Sequence, residues 1–163
     1  MVARMGQCAH AGVRRMIGGF FITLEGGEGT GKSTQAKRLA EALRAIGREV
    51  LQSREPGGTP QGEKLRELLV NGPVDQWTPE AEAMLNAAAR AIHVRDVIQP
   101  NLDAGRVVIS DRFMDSTRVY QGVAGGLASA VLDRLEGMVV AQTSPNLTFI
   151  LDLPAQAGLA RAA

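Results

Sequence analysis

The stretch Gly26-Gly27-Glu28-Gly29-Thr30-Gly31-Lys32-Ser33-Thr34 decides how this chain is read. A glycine, four residues, then Gly31-Lys32-Ser33 is the spacing of a loop that cradles phosphate, the P-loop. Its context agrees. Phe20 to Leu24 (FFITL) is a short apolar, β-rich run. Downstream, Lys32 to Ile46 sets Ala36, Leu39, Ala40, Leu43 and Ile46 on one helical face, with Gly47 as a stop. A strand, a glycine-rich turn and a helix N-terminus let successive backbone N–H groups converge on phosphate oxygens. In such a loop Lys32 reaches the β- and γ-phosphates and the Ser33 hydroxyl serves Mg²⁺. The implied ligand is a nucleoside triphosphate. Glu28 is the anomaly, a carboxylate inside a loop built for anions.

The bulk composition is ordinary. At 163 residues with 45% hydrophobic and 21% charged residues, a single soluble domain with a real core is expected. A net charge of +1 gives no reason to expect nucleic acid or an anionic membrane as partner. One cysteine, Cys8, cannot form an internal disulfide, which suits the cytoplasm. Residues 1–18 carry Arg4, Arg14 and Arg15 but no apolar core of a secretory signal, and are expected to be a disordered or spurious extension.

Further strands are expected at Glu49–Gln52, Val107–Ser110 and Leu147–Leu151. Helices are expected at Gly62–Val70, from Thr78-Pro79 to about Gln99, and at Leu127–Val140. In the second, Ala81, Met84, Leu85, Ala88 and Ile92 form the expected buried stripe; in the third, Val131, Leu135, Met138 and Val139 form the apolar set. Arg54–Pro60 (REPGGTP) reads as a loop. Strands alternating with helices indicate a parallel sheet covered on both faces.

Asp111 ends the Val107–Ser110 run, so its carboxylate stands at the carboxyl edge of a central strand, where open α/β sheets bind ligands. An acid there commonly holds Mg²⁺ through water, opposite the loop hydroxyl. Arg112 follows at once and suits bidentate phosphate binding. Asn86, Arg90 and His93 share one helix face, distinct from the apolar stripe and able to line a cleft. His93 reads as a satisfied helix histidine.

These residues resemble those of the thymidylate kinases, P-loop nucleoside monophosphate kinases that make dTDP from dTMP and ATP. FITLEGGEGTGKST (21–34), REPGGTP (54–60), the AAARAIHV helix with its IQPNL tail (87–102) and DRFMDSTRVYQG (111–122) carry the resemblance, and PNLTFILDLP (145–154) adds a weaker match. The resemblance implies a three-layer α/β P-loop fold with Mg²⁺ as cofactor and ATP as co-substrate. It assigns Gly26 to Thr34 to ATP, Ser33 and Asp111 to the metal, and Arg54 and Arg112 to the dTMP phosphate. Arg90 would reach the thymine carbonyl, Ser116 and Thr117 would line the thymine pocket, and Gln121 would face it. Tyr120 would press against the sugar where a 2′-hydroxyl would sit. Glu28 would accept a hydrogen bond from the sugar 3′-hydroxyl, which resolves its anomaly. A cytoplasmic homodimer is implied as well, with no nucleic acid and no membrane as partner.

Three departures stand out. Asn86 occupies a position where the family usually stacks an aromatic ring on thymine. Ile92 replaces a residue that is often polar, and the VAGG stretch lacks the family's arginine. The chain also ends at Ala163, where the helix leading to the arginine-bearing lid is expected. The domain over 19–163 is therefore expected to be C-terminally truncated and slow in transfer. Two alternatives remain at this level: another P-loop nucleoside or nucleotide kinase, and an inactive nucleotide-binding fragment.

Overall fold

The computed structural model describes residues 18–73, 75–140 and 143–162. The extension expected over 1–18 falls outside them except for Gly18. Four strands, β1 (Phe20–Gly26), β2 (Val50–Arg54), β3 (Val107–Asp111) and β4 (Leu147–Leu151), form one sheet in the order β2-β3-β1-β4. Every pairing is parallel, with Phe20 opposite Val107 and Val50 opposite the same residue on the other side.

Among the described residues seven α-helices accompany them: α1 (Lys32–Ala45), α2 (Pro60–Val70), α3 (Pro79–His93), α4 (Gln99–Asp103), α5 (Met114–Thr117), α6 (Ser129–Val139) and α7 (Ala155–Ala162). π-helical turns at Val94–Ile98 and Arg118–Ala124 continue α3 and α5. The expected helix from Thr78-Pro79 thus changes its winding after His93.

Period-two alternation along the strands makes two cores. Phe21 and Val108 point to one face, where Val94, Ile98, Phe113 and Val140 cover them. Ile22, Leu24, Val107 and Ile109 point to the other, against Ala36 and Ala40 of α1. Small alanines let α1 lie close on the sheet. The result is a three-layer α/β fold, as expected.

Strand and helix positions follow the sequence reading closely, although α2 begins at Pro60 rather than Gly62 and its Leu68, expected to turn inward, is exposed; on α3 and α6 the buried face itself differs. On α3 the buried residues are Ala83, Ala87, Ala89, Arg90 and His93, while Met84 of the expected stripe is 57% exposed and Ala88 is exposed. On α6, which begins at Ser129 rather than Leu127, Leu132 and Glu136 are buried, and Met138 is 80% exposed. The cause is the same in both. Arg90 and Glu136 turn inward because each meets a charged partner: Arg90 donates from Nε to Glu55 Oε2 at 2.7 Å, and Arg118 Nη2 donates to Glu136 Oε2 at 2.5 Å. A paired charge can be buried where an unpaired one cannot.

Candidate active site

The loop after β1 leads straight into α1. Gly31 precedes the helix in the left-handed region (φ 90°), and no side chain caps the terminus. By contrast, Thr59 accepts a hydrogen bond from Gly62 N–H on α2, and Thr78 accepts one from Ala81 N–H on α3. An uncapped helix start with glycines before it leaves its N–H groups available to an anion. Gly29 (φ 66°) passes so close to the Gly158 carbonyl of α7 that a side chain there would strike it.

Lys32 Nζ donates to Gly26 O at 3.0 Å and to Gly27 O at 2.6 Å, folded back over the loop. Burial lowers its pKa below the usual lysine value, with Arg112 adding to the effect. Ser33 Oγ donates to Asp111 Oδ2 at 2.5 Å, so the loop hydroxyl and the strand-end acid face each other as expected. Among the described residues no group of three or more His, Cys, Asp or Glu gathers to hold a metal by itself. Two hard oxygens side by side fit Mg²⁺, which takes its other ligands from phosphate and water.

Two cavities open here. One, of about 300 Å³, is lined by Gly29, Lys32, Ser33, Arg54 and Asp111 among others. The second, of about 390 Å³, is lined by Asn86, Arg90, Ser116, Thr117, Tyr120 and Gln121 among others. Glu28, Glu55, Arg66 and Arg112 border both. The remaining loop residues assigned to ATP, Gly26, Gly27, Thr30, Gly31 and Thr34, do not border the smaller cavity. Thr30 Oγ1 is turned to Gly27 O at 2.9 Å, and Thr34 is exposed on α1.

The larger cavity has a firmly held floor. Arg90 Nη2 donates to Phe113 O at 2.9 Å and to Thr117 Oγ1 at 3.2 Å, besides its bond to Glu55. His93 spans Glu55 Oε1 (2.8 Å) and Ser53 Oγ (2.6 Å), the satisfied histidine that was expected. Asn86 Nδ2 is bonded back to Glu82 O at 2.9 Å, and Gln121 Nε2 donates to Glu82 Oε2 at 2.8 Å. Arg54 is tied to Glu63 at 3.0 Å.

Arg112 adopts φ 71°, the only described non-glycine residue with positive φ. Such a conformation costs about 1–2 kcal/mol. Hydrogen bonds on every side hold it: Arg112 N–H to Leu24 O (2.9 Å), Ser110 Oγ to Arg112 O (2.8 Å) and Phe113 N–H to Glu25 Oε1 (2.7 Å). Its side chain donates to Ser116 Oγ at 3.0 Å and lies 5.4 Å from the Tyr120 ring centre. Strained backbone of this kind clusters at active sites and ligand clamps.

Sequence reasoning passed over Glu25, Glu55 and Arg66. Glu25 had a signal, a carboxylate ending an otherwise apolar strand run. Glu55 stands inside the quoted REPGGTP segment, yet only its arginine partner 35 residues away explains it. Arg66, which donates to Pro56 O at 3.0 Å, had no signal in the sequence.

Comparison with known proteins is consistent with this geometry. The family model described as thymidylate kinase matches residues 24–163. A thymidylate kinase of Caulobacter vibrioides is 54% identical over 147 residues, covering 90% of this chain and 71% of that protein. One of Dinoroseobacter shibae is 51% identical over 143 residues, 88% of this chain and 69% of its own length. The crystal structure of thymidylate kinase from Ehrlichia chaffeensis superposes with a TM-score of 0.79 at 37% identity, over 89% of this chain and 82% of that one.

Proposed function

Because the chain belongs to the thymidylate kinase family, we propose that it phosphorylates dTMP to dTDP with ATP and Mg²⁺, a step toward dTTP. The observation that carries this reading is the pair of cavities joined at Arg112 and Glu28, one ending at the phosphate loop and the other at Arg90 and Tyr120. A donor phosphate and an acceptor phosphate have to meet in line, and the seam is where they would do so.

The acceptor is a phosphate oxygen, already nucleophilic near neutral pH, so no strong base is needed. What the transfer needs is charge neutralisation and exclusion of water. Lys32 would release its two loop carbonyls to meet the β- and γ-phosphates. Arg112, supported on Ser116, would hold the dTMP phosphate, with Arg54 beside it after parting from Glu63. Ser33 and Asp111 would hold Mg²⁺, whose charge offsets that of the phosphates. Glu28, exposed and bordering both cavities, would accept from the sugar 3′-hydroxyl. In the larger cavity, Arg90 would meet the thymine carbonyl, Ser116, Thr117 and Gln121 its edges, and Tyr120 the sugar. Asn86 would offer the base a hydrogen bond in place of a stacking ring.

The cytoplasm is the proposed setting, and no helix among the described residues is long and apolar enough to cross a membrane. A homodimer is proposed through α3 and α6, whose Met84 and Met138 are exposed. Neither nucleic acid nor membrane is proposed as a partner. The deciding experiment offers dTMP, UMP, CMP and thymidine with Mg²⁺ and ATP and follows ADP release. Preference for dTMP is expected, and preference for thymidine itself would overturn the reading.

A further inference from the structure

We infer that Glu25 is a positioning residue that acts through the Ser116 hydroxyl to set the direction in which Arg112 meets the acceptor phosphate. This rests on the proposed dTMP reading for the identity of that phosphate.

Glu25 lies next to last in β1, immediately before the phosphate loop, and is 4% exposed. Its two carboxylate oxygens are divided between two duties. Oε1 accepts from Phe113 N–H at 2.7 Å, and Oε2 accepts from Ser116 Oγ at 2.6 Å. The first bond holds the backbone one residue past Arg112, at the positive-φ turn. The second orients the Ser116 hydroxyl. Because that hydroxyl spends its proton on Glu25, its lone pairs face outward, and Arg112 Nη1 donates to one of them at 3.0 Å. Glu25 therefore holds Arg112 at both ends, backbone and guanidinium, while itself lining neither cavity. Burial pushes the Glu25 carboxyl above its ordinary pKa, while the bonds from Ser116 and Phe113 and the charge of Arg112 favour the ionised form.

An uncharged amide of the same shape cannot do this. In Glu25→Gln one of the two donors, Ser116 or Phe113, meets an NH₂ group. If Ser116 accepts from that NH₂, its lone pairs are no longer reserved for Arg112.

The test uses the full chain with Glu25→Gln, Ser116→Ala, Ser116→Thr and the double variant Glu25→Gln/Ser116→Ala, and measures dTMP and thymidine binding by calorimetry. Thymidine lacks the phosphate that Arg112 would hold. Glu25→Gln and Ser116→Ala are each expected to weaken dTMP binding on the order of tenfold; for Glu25→Gln, at a residue that lines neither cavity, thymidine should shift less than about threefold. The double variant should be no weaker than Glu25→Gln alone, as for residues in one chain of contacts. Ser116→Thr keeps the hydroxyl and should restore dTMP binding. Equal loss for both ligands in Glu25→Gln, or additive losses in the double variant, would overturn the inference. A second readout needs no nucleotide: the ¹⁵N-resolved guanidinium signals of Arg112 should show hindered rotation in the wild type and averaging in Glu25→Gln. If the wild type binds neither ligand while Arg112 is freed in Glu25→Gln, the kinase reading fails and the positioning role stands. An unchanged Arg112 signal sinks the positioning role whatever the protein binds.

Discussion

Arg90 Nε donates to Glu55 Oε2 at 2.7 Å, with the two side chains only 4% and 3% exposed. The other Glu55 oxygen meets His93 Nδ1 at 2.8 Å. One carboxylate thus ties the loop after β2 to the inner face of α3, and Arg90 forms part of the larger cavity's wall. Removing one partner of a buried pair strands the other. Glu55→Ala is expected to lower the free energy of unfolding by about 3–5 kcal/mol. Urea denaturation checks this; an unchanged midpoint and slope would show that the pair does not hold the fold.

Glu28 borders both cavities, but a carboxylate suits a hydroxyl better than a phosphate. In Glu28→Ala the KM for dTMP should rise on the order of tenfold, with the KM for ATP within about twofold of wild type. Steady-state kinetics with each substrate varied in turn separates the two. Equal changes would give the carboxylate a different role.

Gly29 and Gly31 both have positive φ, at 66° and 90°, but their surroundings differ. A Cβ on Gly29 would strike the Gly158 carbonyl, and one on Gly31 meets open space. Gly31→Ala should therefore cost only conformational strain, about 1–2 kcal/mol. Gly29→Ala should cost a further 1–3 kcal/mol, roughly the penalty of overpacking. Thermal unfolding of the two variants side by side gives the difference, and equal losses would mean that α7 yields freely.

The Glu25 carboxyl carries a raised pKa because it is buried, with Asp115 nearby adding to the rise against Ser116, Phe113 and Arg112. The folded chain therefore keeps a proton that the unfolded chain releases above about 4.5. The resulting stabilisation is complete below that pH and is lost as pH rises through the folded pKa. Wild type should gain stability relative to Glu25→Gln on moving from pH 8 to pH 5. Paired urea titrations at the two pH values test the sign, and a constant difference would show that burial does not raise this pKa.

Much of the fold is legible because it rests on local signals. FFITL, the glycine spacing and the alanines of α1 lie within one short stretch, and each favours the same strand–loop–helix unit. The same holds for Thr78, whose Thr-Pro signal opens the helix that follows it, whereas Thr59 caps α2 from within a stretch that reads as loop. What escaped is set by partners distant in sequence. The apolar pattern of α3 favours Met84 and Ala88, yet Arg90 and His93 take the interior because Glu55 waits there 35 and 38 residues away. Glu136 does the same on α6 through Arg118, 18 residues earlier. Periodicity counts side chains by their own polarity and cannot register a charge neutralised by another element. Glu25 and Glu55 were passed over for this reason, although each stands inside a segment that carries the family resemblance.

The cavity that ends at Lys32 and the cavity that ends at Arg90 share Glu28, Glu55, Arg66 and Arg112 as common walls. Whatever occupies one of them changes the charge and the hydrogen bonds that the other presents. Thermodynamic linkage makes this reciprocal: if the first nucleotide tightens or loosens binding of the second by some factor, the second returns the same factor. The affinity of either compartment is then a function of the other's occupancy, and a dissociation constant measured with one nucleotide describes only half of a coupled pair.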